Sequence, residues 1–226
     1  MRAFAVFGQT HLAALVAVVL IGGIMAVAAV RIGDPWQRRS EHLLALILFA
    51  VWPMRLIGYL SAGTLTLDDA LPLHYCDVSA ISGALALWTR RQVFCEIVYF
   101  FGMAGTLQGL ITPPLDVDWP HPRFIYHFLW HGGVVIAAVH VVTAMRHSPR
   151  AGAILRMMGW TAVYAAIVGT LDALLHTNYG FLCYKPPSPS LMDHLGPWPW
   201  YVGALAGVAM VLYTVLDLPF WWGRRR

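Results

Sequence analysis

The stretch that decides the fold is His11–Val30, HLAALVAVVLIGGIMAVAAV, followed at once over 31–39 by RIGDPWQRR. The run holds no Asp, Glu, Lys or Arg, and at about 1.5 Å of rise per residue a helix of this length spans the roughly 30 Å hydrocarbon core of a bilayer. Three arginines then crowd together where such a helix would leave the apolar layer. Met25-Ala26-Val27-Ala28-Ala29 offers small residues of the kind found at signal-peptide cleavage sites. The run is nevertheless longer than the about 7–15 residues of a signal core, so it is expected to stay as a helix.

Working outward, six more apolar segments follow, at about 43–63, 73–88, 93–111, 124–145, 157–175 and 199–220. The third is short and the fourth contains Glu96, so hydropathy marks those two least clearly. The longest connection, 176–198, is only a loop, and no soluble domain fits between the spans. The expected fold is therefore all-α: a polytopic membrane bundle of about seven transmembrane helices forming one transmembrane domain over residues 1–226. Composition agrees. Of 226 residues, 59% are hydrophobic and 12% charged, with a mean hydropathy of +0.64. A soluble domain needs about 25% charged residues to cover its surface. The net charge of +4 does not indicate nucleic-acid binding, because the basic residues sit in short clusters between apolar runs.

Those clusters predict the orientation. One set of connections carries Arg31, Arg38 and Arg39, then Arg90 and Arg91, then Arg146, Arg150 and Arg156, and finally Arg224, Arg225 and Arg226. The alternate set carries Arg2, no basic residue over 64–72, then Arg123 and Lys185. The bias is eleven against three and alternates through every span. Cytoplasmic loops are the basic ones, which places the N-terminus outside, the C-terminus inside and the protein in the cell membrane as a multi-pass chain. Trp36, Trp88, Trp119, Trp198, Trp200, Trp221 and Trp222 fall near span ends, as an interfacial aromatic belt requires. Pro186-Pro187-Ser188-Pro189-Ser190 reads as a rigid loop piece.

A charged group near the middle of a spanning helix costs about 2.5–3.5 kcal/mol on insertion scales, so such groups need partners or a wet cavity. Orientation gathers most of them near the outer leaflet. Arg55 lies in the outer half of span two; His74, Cys76 and Asp77 open span three; Gln108 ends span four. His127 and His131 stand in the first turns of span five, and Asp172 and His176 end span six. His127 and His131 are four residues apart and share a helix face. Only Glu96 and His140 fall on the inner side. A structural reading stands beside the functional one: Arg55 with Asp77 or Asp172 is equally a buried pair that specifies helix packing. Cys76, Cys95 and Cys183 fit neither a disulfide framework nor a zinc pattern, although Cys183 could pair with Cys76 in an oxidising compartment. No HExxH occurs. No metal and no cofactor is expected.

Several strings carry a resemblance: Leu71-Pro72-Leu73-His74-Tyr75-Cys76-Asp77-Val78-Ser79-Ala80, Tyr99–Gln108, Phe124–Gly133 with its His131-Gly132-Gly133, Thr177-Asn178-Tyr179-Gly180-Phe181-Leu182, and Gly196–Tyr201. Together they resemble the YwaF-type bacterial integral membrane proteins over most of the chain. That group is similar to an animal transmembrane family that remodels ether phospholipids through a membrane-embedded cysteine. The resemblance implies Cys76 as nucleophile and His131 as its base. Cysteine–histidine chemistry then gives an acyl-enzyme thioester. Asp77 or Asp172 would orient the imidazole, and Arg55, Gln108 or Asn178 would receive an oxyanion or a lipid phosphate, with His74 and His127 in support. The expected function is a cysteine-dependent phospholipid acyltransferase whose partners are membrane lipids; the alternative is a small-solute or proton-coupled transporter or receptor using the same polar cluster. The sequence does not indicate an oligomeric state.

Overall fold

The computed structural model describes residues 3–186 and 190–224. Arg2, Pro187, Ser188, Pro189, Arg225 and Arg226 lie outside the described residues, and with them most of the Pro-Ser loop. The helices are α1 (Gln9–Ile32), α2 (Asp34–Ala62), α3 (Leu67–Ala70), α4 (Tyr75–Thr89), α5 (Gln92–Phe101), α6 (Leu107–Ile111), α7 (Pro122–Thr143), α8 (Ala153–Leu175) and α9 (Trp200–Arg224). A π-helical turn, Gly102–Thr106, joins α5 to α6. Taken with α3–α4 and α5–α6 as one span each, seven helical segments among the described residues are long and apolar enough to cross a bilayer. The expected all-α membrane architecture is what forms. Side chains such as Val19 and Ile24 of α1 and Leu155 and Leu174 of α8 stay exposed, which suits lipid and would not suit water.

The chain divides into two compact units. The first comprises Met1–Leu65 and Cys76–Ser148 and holds α1, α2 and α4 to α7. Its axis is α7, which packs against α1, α2, α5 and α6. Pro122 sits at the start of α7, where its missing N–H costs nothing, and the His121 imidazole accepts the Arg123 N–H at 3.1 Å. Close approach is possible because α7 carries Gly132: a Cβ there would lie 2.6 Å from Val18 of α1. His11 of α1 is fully buried, accepting the Phe7 N–H at 2.9 Å and donating to the Leu110 carbonyl at 3.0 Å.

At one end of this unit a single carboxylate organises the charges. Glu41, in the second turn of α2, is fully buried. It accepts hydrogen bonds from Gln37 (2.8 Å), Arg38 (2.9 Å), both Nε (3.0 Å) and Nη2 (2.9 Å) of Arg90, and His140 (3.3 Å). The two arginines and the imidazole satisfy a charge that lipid could not, and they tie α2 to the end of α4 and the last turns of α7.

The second unit comprises Thr66–Tyr75 and Pro149–Arg226. In it α8 packs against α9, and a hydroxyl chain joins them inside: Tyr213 OH lies 2.9 Å from Thr161 Oγ1 and 2.6 Å from Tyr75 OH. Arg224 closes the end of α9 with an ion pair to Asp217 at 2.6 Å and a hydrogen bond to the Pro149 carbonyl at 2.7 Å.

Candidate functional site

The first unit contains a cavity of about 240 Å³. Its wall includes Arg55 and Tyr59 of α2, Cys76 of α4, and Arg123, Tyr126, His127, Trp130 and His131 of α7. Each helix delivers these residues from the same end, opposite the Glu41 cluster in sequence terms: the last turns of α2, the first turn of α4 and the first turns of α7.

Trp130 joins the three helices. Its indole N–H donates to the Cys76 carbonyl at 3.2 Å, and the Arg55 guanidinium lies over its ring with Cζ 4.9 Å from the centroid. Arg55 Nη2 also faces Asp77 Oδ2 at 3.6 Å, an ion pair slightly too long for a hydrogen bond. Cys76 is half-buried and carries a free thiol.

The two histidines form a rigid stack, with centroids 4.0 Å apart and planes 17° from parallel. His131 Nδ1 meets the His127 carbonyl at 3.0 Å, and His127 Nε2 meets the Gly109 carbonyl at 2.8 Å. A carbonyl only accepts, so each of those nitrogens must carry the proton, and a neutral imidazole has one. His131 is thereby assigned as the Nδ1–H tautomer, with the lone pair on Nε2. Gly109 makes room for that nitrogen: a Cβ there would lie 2.9 Å from it.

The remaining expected residues are placed elsewhere. Gln108 is exposed on α6 and is not among the residues lining the cavity; its backbone carbonyl accepts from Thr112. His74, Asp172 and Asn178 belong to the second unit, where they fasten the loop after α8. Asp172 Oδ1 accepts the Thr177 hydroxyl and the Tyr179 N–H, both at 2.8 Å. Asn178 donates to the Tyr184 carbonyl (2.8 Å) and accepts from Cys183 N (3.0 Å) and Tyr184 N (3.2 Å). His74 bridges the Asp68 carbonyl (3.1 Å) and the Gly180 N–H (3.3 Å). Burial, and then the Asp172 charge, pushes the Cys183 thiol up, away from a reactive thiolate. Cys95 and Cys183 are free as well. Among the described residues no group of three or more His, Cys, Asp or Glu is arranged to hold a metal.

Tyr59, Tyr126 and Trp130 join the wall without having been marked by charge or hydropathy. Tyr126 and Trp130 precede His127 and His131 by one residue each, so the aromatic pair shares the histidines' four-residue spacing, and that spacing was the available signal.

Among known proteins, the chain is similar to an uncharacterized protein of Treponema pallidum (strain Nichols), 25% identical over 226 residues, covering 96% of this chain and 90% of that one. No solved structure matches it. The profile of the TMEM164 family matches residues 6–217, nearly the whole length over which the helices and the cavity are built. The chain belongs to the TMEM164 family.

Proposed function

We propose that the protein moves acyl chains between membrane lipids through a thioester on Cys76. The observation that carries this reading is that Cys76 and His131, the latter with its lone pair at Nε2, line one cavity. The resemblance of the strings around these two residues to a cysteine acyltransferase family adds to it.

His131 Nε2 takes the thiol proton, and the Cys76 thiolate attacks the ester carbonyl carbon of a donor lipid, forming a C–S bond. As the tetrahedral adduct collapses, the C–O bond breaks and the leaving alkoxide takes the proton back from His131 Nε2. In the second half an acceptor hydroxyl gives its proton to His131 and attacks the thioester. The C–S bond then breaks, and the proton returns from Nε2 to the thiolate. Cys76 sits in the first turn of α4, where N–H groups without intrahelical partners and the helix dipole favour an anion, while Asp77 in the same turn opposes one. The bias of basic residues supports a cavity at outer-leaflet depth, where the ester bonds of phospholipids would lie beside it.

Replacement Cys76→Ala is expected to abolish acyl exchange between phospholipid and lysophospholipid in proteoliposomes, with thermal unfolding in detergent little changed. Undiminished exchange by purified Cys76→Ala would remove the thioester mechanism. A second reading, proton-coupled transport of a small solute, draws on the pair of half-buried Arg55 with buried Asp77, since intramembrane ion pairs also mark transport paths. Uptake driven by a pH gradient, retained in Cys76→Ala, would favour it.

A further inference from the structure

Arg55 is held more tightly than it is satisfied. Its plane is fixed by the Trp130 face at 4.9 Å, and its charge is opposed by Asp77 at 3.6 Å. Yet Nε and Nη2 are shielded from solvent and have no hydrogen-bond partner among the described residues. A guanidinium has five N–H donors in a planar fork, and the two unpartnered nitrogens carry three of them. Buried donors of an ionised group are costly to leave unpaired, and native structures nearly always give them an acceptor. Asp77 neutralises the charge without taking up those hydrogens.

The surroundings narrow what the acceptor is. Arg55 is on the cavity wall, so an acceptor can arrive with a ligand. Arg123 stands on the same wall, but its ion pair with Asp116 at 2.9 Å offsets its charge, so Arg55 is the donor left for an incoming anion. A fork of parallel donors matches a group with two oxygens sharing a negative charge, as in a phosphodiester or a carboxylate. The Trp130 N–H bond to the Cys76 carbonyl fixes this fork relative to the first turn of α4. The oxygen pair would therefore be held at a set distance from the thiol.

We infer that Arg55 is the seat of an anionic oxygen group on an amphiphilic ligand, the phosphodiester of a phospholipid or the carboxylate of a fatty acid, and is a specificity residue for the cavity. The inference rests on reading the cavity as a lipid site. It departs from an oxyanion role: Arg55 grips a group that does not react.

Binding is measured in Cys76→Ala protein, which cannot turn over, in an uncharged detergent. The probes are dioctanoyl phosphatidylcholine, dioctanoylglycerol with the same chains and no phosphate, and decanoate. The phosphodiester lipid should bind about tenfold or more tightly than the diacylglycerol. Arg55→Gln should erase that difference and leave diacylglycerol binding unchanged, and Arg55→Lys should restore only part of it. Decanoate competing better than the phospholipid assigns the site to a carboxylate. Equal binding of phospholipid and diacylglycerol by the parent, or an unchanged phospholipid preference in Arg55→Gln, overturns the proposal. The two readings separate cleanly. Acyl-Cys76 forming equally well in Arg55→Gln with native Cys76 ends the subsite and spares the transfer; an intact phospholipid preference with no acyl-Cys76 does the reverse.

Discussion

The proposed acyl transfer turns on which nitrogen of His131 is bare. The His127 carbonyl at 3.0 Å fixes the proton on Nδ1, and the space beside Gly109 accommodates Nε2. His131→Ala should lower acyl exchange by about 10²–10⁴-fold, the range for losing a general base, with membrane insertion intact. A wild-type rate from purified His131→Ala would show that the thiol finds its base elsewhere. Gly109→Ala is a sharper probe, because it leaves Cys76 and His131 chemically unchanged and presses a methyl group against the imidazole edge, 2.8 Å from Cδ2 and 2.9 Å from Nε2. It should cut exchange while leaving unfolding temperature within a few degrees. The same rate in Gly109→Ala would mean that Nε2 does not need its present position.

Elements explain both what the sequence disclosed and what it hid. Apolar runs and alternating arginines make all seven spans legible, because both signals are set by the bilayer and not by tertiary contacts. Hydropathy starts the second span at about 43, but α2 begins at Asp34: the turns bearing Gln37, Arg38 and Glu41 are too polar for a hydropathy window. That is also why Glu41 is not legible in sequence as a buried carboxylate. Gln108 is expected in the cavity from its place near the end of span four. The π-helical turn Gly102–Thr106 inserts about one extra residue, which rotates the downstream turn of α6 by roughly 100° and presents Gly109 to α7 instead. Asp172 and Asn178 look like site residues in sequence because their partners, loop N–H groups and hydroxyls, carry no signature. Glu41→Ala should leave Arg38, Arg90 and His140 without the buried carboxylate they share, costing roughly 3–5 kcal/mol in unfolding measurements; a loss under about 1 kcal/mol would contradict the account of this cluster. His147, in the loop after α7, gives a milder test. Its Nε2–H donates to the Arg90 carbonyl at 2.9 Å, and burial, then the Arg90 charge, holds its imidazole below the usual value of 6.5. The unfolded chain thus binds the proton more readily, so this contribution is complete above about pH 6.5 and is lost as pH falls below it. His147→Gln should flatten the acid side of the stability curve; an unchanged slope would assign it to other groups.

At the scale of the molecule, the polar groups of the first unit separate into a charged end around Glu41 and a cavity end around Cys76, and the arginine bias predicts the first on the cytoplasmic side and the second outside. A cysteine placed at Thr64 in a cysteine-free background should react with an impermeant maleimide on intact cells, and one at Ser148 only after lysis. The reverse pattern would put the cavity beneath the inner leaflet and change which lipids reach it. Membership of the TMEM164 family, together with a cavity that gathers a thiol, a bare imidazole nitrogen and a guanidinium, makes covalent acyl capture the claim on which the rest depends. It is tested most directly by incubating the purified protein with phospholipid bearing a heavy-isotope acyl chain, quenching in acid, and sequencing the peptide containing Cys76 by mass spectrometry. The account predicts the labelled acyl group on that sulfur, removable by hydroxylamine and absent when His131 is replaced. Unmodified Cys76 in protein that is meanwhile exchanging the labelled chain would contradict it.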